Sequence, residues 1–227
     1  KLKGKMTPDD MHGDAPRPPF KTNDGKTILF EFDRENTAAL NQLSRDESAT
    51  LFMTMLAVLK VLMLKYSGVE NTNVGTPLAG RDQPELENQA GLYLNIVVLN
   101  DTVKPEMTFE ELLQSVRQTT LEAYDHQTYP AINLIDELEI ELDPSRSIGF
   151  DVFAALHNND VVLDLDDNLA AALGSLEVRP MPLELTTSRF DLSFDMMELD
   201  EKLYAVVEYN TDPVSYTHLR AHETRRY

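Results

Sequence analysis

The sequence predicts an α/β or α+β lobe in which a mixed β-sheet carries helices on at least one face. Three observations lead there. Apolar residues alternate between a helical period and short strand-like runs along the body, strand-like runs dominate its last part, and a 42% hydrophobic, 26% charged composition over 227 residues supplies core enough for one large domain or two modest ones.

Residues 27–32 (TILFEF) form a β-type run, and residues 33–44 then set Leu40 and Leu43 against polar neighbours as a surface helix does. A second helix is expected over residues 50–66, with Ser48 as N-cap, Leu51, Phe52, Met55, Leu56, Leu59, Leu62, Met63 and Tyr66 at helical spacing, and Gly68 as the stop. Apolar residues nearly encircle it. A membrane span is the competing reading, but the segment is shorter than about 20 residues, Thr54 and Lys60 interrupt it and Lys65 follows, so a buried core helix is expected and no membrane.

Residues 73–78 start a strand, residues 80–84 (GRDQP) make a turn-rich loop, and residues 92–99 (LYLNIVVL) read as an apolar strand with Asn95 at its centre. Thr108 and Glu111 form a capping box for a helix that runs to about His126 through Leu112, Val116, Leu121 and Tyr124. Pro130 opens a short helix (AINLIDEL). Residues 149–156 (GFDVFAAL) read as a strand, and residues 190–199 and 203–209 as a hairpin turned at Asp200-Glu201-Lys202.

The two ends stand apart. The chain opens KLKGK without methionine or an apolar signal core, and reads as a piece of a longer polypeptide. Residues 213–227 (PVSYTHLRAHETRRY) reverse the charge sign with three basic residues against one acidic, so they are expected to be a non-native tail.

Composition narrows the chemistry. With 20 Lys and Arg against 39 Asp and Glu the formal charge is 20 − 39 = −19, and no basic cluster offsets it, so nucleic acid is excluded as a partner. The absence of cysteine removes disulfides, thiolate nucleophiles and Cys-based metal sites, and fits a cytoplasmic location. No Gly-x-Ser-x-Gly elbow, Gly-x-Gly-x-x-Gly loop or Walker lysine is present. The run Asp164-Leu165-Asp166-Asp167-Asn168 departs from a calcium loop, with Leu169 at the sixth position and Ser175 at the twelfth. The acidic run of residues 136–143 reads as a solvated face, and His218 and His222, at ligand spacing, lack a third ligand. His12 and His157 stand alone in polar surroundings. No metal site is expected.

Three constellations remain. The first is Val74-Gly75-Thr76-Pro77-Leu78-Ala79-Gly80-Arg81 followed by Gly91-Leu92-Tyr93-Leu94-Asn95; the second is His126-Gln127-Thr128-Tyr129-Pro130 with Ser145-Arg146-Ser147 and Phe150-Asp151-Val152; the third is Arg189-Phe190-Asp191-Leu192 with Glu208-Tyr209-Asn210-Thr211-Asp212. In this order and at these separations they closely resemble the later core motifs of condensation domains of nonribosomal peptide synthetases. The resemblance covers about residues 1–212. Departures are Ile96 for the threonine after the motif asparagine, Thr128 and Ala131 around Tyr129-Pro130, and Gly149 before Phe150.

The resemblance implies a chloramphenicol-acetyltransferase-like fold, a V of two lobes, of which residues 27–212 are the C-terminal one and residues 1–26 the segment joining it to the first. It implies peptide-bond formation between aminoacyl or peptidyl thioesters that carrier-protein partners hold on phosphopantetheine arms, with an adenylation domain in cis and no cofactor bound directly. The family's His-His-x-x-x-Asp-Gly histidine does not occur here; it lies in the first lobe. No catalytic residue is therefore expected in this chain, which is expected to be inactive alone and to expose apolar surface and self-associate. Asn95 and Arg81 are the implied substrate-binding residues, Asn95 leaning toward ordinary condensation rather than epimerization or heterocyclization. From the residues alone, Asn95 reads equally as a satisfied strand asparagine and Arg81 as a loop salt bridge. Gly75, Gly80 and Gly91 read as backbone or packing positions, Tyr129 and Arg146 as packing and network residues, and Asp191 as bonding locally. A docking module without chemistry and a carrier-independent O-acyltransferase are the rival readings.

Overall fold

Helix ends set the frame. Thr50 caps the second helix, its Oγ accepting the Met53 amide at 3.2 Å while the Met53 sulfur receives the Thr50 amide. Ser48, the expected cap, instead lies in the turn between helices with φ 52°, and its carbonyl accepts Arg117 Nε at 2.8 Å. Two residues of turn follow the first helix before the second can start, so the nearer serine is spent on the corner. Thr108 and Glu111 do form the reciprocal box, at 3.2 and 2.9 Å. Gly68, at φ 70°, ends the second helix.

The computed structural model describes residues 16–81, 83–86, 88–138, 142–157 and 185–214. In chain order the elements are β1 (Gly25–Phe32), α1 (Arg34–Asp46), α2 (Leu51–Ser67), β2 (Asn71–Leu78), a 3-10 turn (Pro84–Leu86), β3 (Asn95–Thr102), α3 (Phe109–Asp125), α4 (Ala131–Glu137), β4 (Val152–His157), β5 (Leu192–Leu199) and β6 (Lys202–Asn210). The strands form one mixed sheet in the order β1-β6-β5-β4-β2-β3. Parallel pairs join β2 to β4 and β4 to β5; the others are antiparallel. His12, the calcium-like run, His218 and His222 lie outside the described residues, as do residues 139–141 of the acidic run.

The strand expected over residues 92–99 sits three positions later. Leu92 is 90% exposed, and the ladder with β2 starts only at Leu78↔Asn95, then runs through Asn71↔Thr102. Polar residues at the far end stay in the strand because each finds a partner: Asn100 donates to the side chains of Asn71 and Asn73 at 3.0 and 2.8 Å, and Asp101 meets a buried lysine. Asn95 is therefore the first residue of β3, not its centre.

Helices α1 to α3 cover the sheet face that carries Val74, Leu99, Val152, Ala154, Leu203 and Val207, all buried in one apolar cluster. On the opposite face Leu29 and Val206 remain 63% and 36% exposed. Among the described residues no single helix is long and apolar enough to cross a membrane. Lys60, which interrupts the apolar run of α2, is wholly buried: its Nζ lies 3.1 Å from Asp101 Oδ2 and donates to the Leu99 carbonyl at 2.8 Å and Thr72 Oγ1 at 3.3 Å. Thr119 Oγ of α3 donates to Asp101 Oδ1 at 2.7 Å. One ammonium thus ties α2, β2 and β3 together, and its carboxylate partner adds α3.

Both chain ends of the described part pack on the lobe. Strand β1 begins at Gly25, and residues 21–24 bond to residues 144, 188, 210 and 211. Val214 is buried in the core and its amide reaches the Asn210 carbonyl at 3.2 Å, so the first residues of the 213–227 stretch belong to the packing.

Removing the ammonium alone strands a buried carboxylate. Lys60→Met should lower the unfolding free energy by about 3–5 kcal/mol, and Lys60→Met with Asp101→Leu should recover much of that loss. Urea denaturation checks it; equal losses in the single and double variants would contradict the pairing.

Candidate functional site

The C-terminal ends of β2 and β4 and the start of β3 meet at one end of the sheet. The β2–β4 ladder consists of Val74↔Val152 and Gly75↔Phe153, so the two strands part beyond those rungs. Gly75 is required by packing: a Cβ there would stand 2.2 Å from the Phe150 ring. Gly80 turns the chain off β2 with φ 63°, and a Cβ there would meet the Tyr93 carbonyl oxygen at 2.1 Å.

Arg81 braces the loop that follows. Its guanidinium donates to the Leu86 carbonyl and, at 3.1 Å, to the Gly91 carbonyl, and it lies 4.7 Å from the Tyr93 ring centre. Its described partners are carbonyls and a ring, not the carboxylate of a loop salt bridge. Tyr93 in turn donates to Gln89 Oε1 at 2.8 Å.

Asn95 closes the arrangement from the other side. Its Nδ2 donates to the Gln127 and Tyr129 carbonyls at 2.8 and 2.9 Å, while its Oδ1 accepts the Ile96 amide at 3.0 Å and the Ala131 amide at 3.4 Å. Both amide hydrogens are used. The side chain is a clamp between the start of β3 and the α3–α4 connection. Beside it a cavity of about 350 Å³ is lined by Gly80, Tyr93, Leu94, Asn95, Gln127 and Pro130 among others, and a groove of about 640 Å³ runs between β3 and helices α3 and α4. Tyr129 donates its hydroxyl to Glu137 at 2.5 Å, and that bond to a carboxylate raises the phenol above its ordinary value.

Two groupings escaped sequence reading. His157, expected to stand alone, has Nε2 2.9 Å from Asp195 Oδ1, with both side chains nearly half exposed on the face away from the helices. Strand alternation puts both residues on that face, but only the β4–β5 register, which sequence does not give, makes them neighbours. Neither the cavity nor the groove includes this pair. Asp191, expected to bond locally, pairs with Arg17 and Lys21 from the N-terminal segment, and Arg146 pairs with Asp151 at 2.7 Å. Among the described residues no group of three or more His, Asp or Glu side chains could hold a metal ion.

The Condensation domain family model matches residues 2–219. The chain belongs to the condensation-domain family. It is 43% identical over 198 residues to a linear gramicidin synthase and 36% identical over 210 residues to tyrocidine synthase 2, both from Brevibacillus parabrevis. Those matches cover 87% and 92% of this chain but 4% and 6% of the relatives, so the chain spans a small fraction of the curated proteins it resembles. Among solved structures, the X-domain from teicoplanin biosynthesis superposes with a TM-score of 0.81 at 20% identity, and a four-domain nonribosomal peptide synthetase bound to AMP and glycine with 0.79 at 22%. The first condensation domain of the CDA synthetase gives 0.66 at 15%. The superpositions cover 91–93% of this chain against 46%, 16% and 45% of those three. The fold is the chloramphenicol-acetyltransferase-like one of condensation domains.

The clamp yields a local prediction. Asn95→Ala should cost about 1–3 kcal/mol and loosen residues 127–131 before the rest of the lobe, seen as faster amide exchange there. Asn95→Asp, which sets a carboxylate oxygen against the Gln127 and Tyr129 carbonyls, should loosen the segment at least as much as Asn95→Ala; unchanged exchange in both would remove the clamp.

Proposed function

We propose that this chain is the C-terminal lobe of a condensation domain in a nonribosomal peptide synthetase, supplying one wall of the cleft in which two carrier-bound thioesters meet. The observation that carries the reading is the family match over residues 2–219, together with a fold that accounts for about half of the solved single condensation-domain chain. Carrier domains, an adenylation domain in cis and the first lobe are the partners this implies, in a cytoplasmic assembly.

In that cleft the acceptor amine attacks the donor thioester carbonyl: a C–N bond forms, the C–S bond breaks, the donor arm leaves as a thiol and the amine gives up a proton. An imidazole near neutral pKa can position or deprotonate the amine, and the reading places it outside these residues. This lobe's contribution is shape. Asn95 holds the residue 127–131 loop and Arg81 the residue 80–93 loop, so the two flank the cavity of about 350 Å³ at the sheet end, of a size to take part of an extended arm and its aminoacyl group. Both act by fixing backbone that faces substrate, where small misplacements are costly. Exposed Leu92 and Leu94 beside that cavity are the apolar surface the first lobe would cover.

In the intact domain, Asn95→Ala and Arg81→Ala should each lower the rate of condensation between loaded carriers by about tenfold to a hundredfold while the domain stays folded. Single-turnover product formation with both carriers pre-loaded checks this. An intact wild-type domain that binds both carriers yet forms no amide would favour the docking module instead, and ester formation from a free thioester donor would favour the O-acyltransferase.

A further inference from the structure

Most of the polar lining of the cavity beside Asn95 is already spent within the fold. Asn95 commits both amide hydrogens to the Gln127 and Tyr129 carbonyls and its oxygen to the Ile96 and Ala131 amides. The Tyr93 hydroxyl is taken by Gln89 Oε1 at 2.8 Å, and Gly80, Leu94 and Pro130 bring no polar side chain. Gln127 and, at the exposed rim, Thr128 remain. Gln127 is half-buried, and among the described residues its side-chain amide has no hydrogen-bond partner. No Asp, Glu, His, Lys or Arg among the described residues lines the cavity.

The backbone that carries this side chain is fixed twice. The Gln127 carbonyl accepts Asn95 Nδ2 at 2.8 Å, and its amide donates to the Tyr124 carbonyl of α3 at 3.2 Å. The clamp thus holds at the cavity a polar group that the fold itself does not use. A side-chain amide matches a secondary amide at two points: Oε1 accepts its N–H while Nε2 donates to its carbonyl. The neutral lining suits such a ligand and not a charged one, which would enter without a counter-charge. Negative charge developing at a reacting carbonyl is a poorer match. Stabilising it requires a donor held rigid beforehand, and no bond holds this long, rotatable side chain.

We propose that Gln127 is a substrate-binding residue that recognises a secondary amide in the chain entering this cavity, with the Tyr93 ring, Leu94 and Pro130 receiving the apolar stretches beside it. That amide has two sources in a reaction between loaded carriers: the pantetheine arm, on the thiol side of the thioester, or a peptidyl group, on its acyl side. An ester of the same shape lacks the N–H and sets an oxygen against Oε1, so the residue selects amide over ester. Asn95 and Gln127 then divide the work. Asn95 holds the backbone and Gln127 meets the ligand. The identity of the ligand rests on the condensation reading; the contact itself does not.

Binding to the full chain tests the contact without requiring turnover. Two probes carry the amide, S-acetyl-N-acetylcysteamine on the thiol side and N-acetylglycyl S-ethyl thioester on the acyl side, and each has an analogue with an ester oxygen in place of the N–H. In an NMR titration at least one amide probe should shift the Gln127 side-chain NH2 and bind about three- to tenfold more tightly than its ester analogue; the probe that does so identifies the source. Gln127→Met, of similar length, should abolish the preference while amide exchange over residues 127–131 stays as in the wild type. With loaded carriers in the intact domain, the same variant should raise KM more than it lowers kcat. Equal binding of each amide and its ester, a preference that survives Gln127→Met, or a variant whose 127–131 segment loosens would overturn the proposal. An intact domain that shows the preference yet forms no amide bond would leave the contact standing and remove the condensation reading.

Discussion

The buried ammonium of Lys60 is the constraint on which the rest of the lobe depends. It sits inside the most apolar helix, where a charge is tolerated only with a counter-charge and a full set of acceptors. Asp101 and the Leu99 carbonyl, both from β3, and Thr72 from β2 supply them. Asp101 then reaches α3 through Thr119. Helix α3 delivers the residue 126–131 connection to Asn95, at the other end of the same β3. The site is therefore held from both ends of one strand, by a salt bridge in the core and an amide clamp at the rim.

That dependence explains the family departures around the site. Thr128 and Ala131 stand where condensation domains carry other side chains, yet Asn95 takes hold of the Gln127 and Tyr129 carbonyls and the Ala131 amide. A clamp on backbone is indifferent to the side chains at 128 and 131. Ile96 lines the groove on the far side of β3, outside the cavity beside Asn95, so its replacement of a threonine leaves the clamp intact.

What could be read from the sequence was what is local. The Thr108–Glu111 box, the Gly68 stop and the periods of α2 and α3 each involve residues within one or two helical turns, and each is found where expected. Ser48 failed because cap choice depends on how sharply α1 turns into α2. Strand β3 was misplaced because hydrophobicity favours Leu92-Tyr93-Leu94, whereas the partners that keep Asn100 and Asp101 in the ladder lie about 30 residues upstream or on another helix. The charge cluster is the extreme case: Arg17 and Asp191 are 174 positions apart. Nothing at either position announces the other until the sheet order brings β1, β6, β5 and β4 together.

Among the described residues no histidine lines the cavity beside Asn95, and on the proposed reading the lobe acts only in company. The direct measurement is amide formation between two loaded carriers with this chain alone, with the separately purified first lobe of the same domain alone, and with both mixed. Product is expected from the mixture and none from this chain by itself. Turnover by this chain alone, above the level without protein, would contradict the division of labour between the lobes.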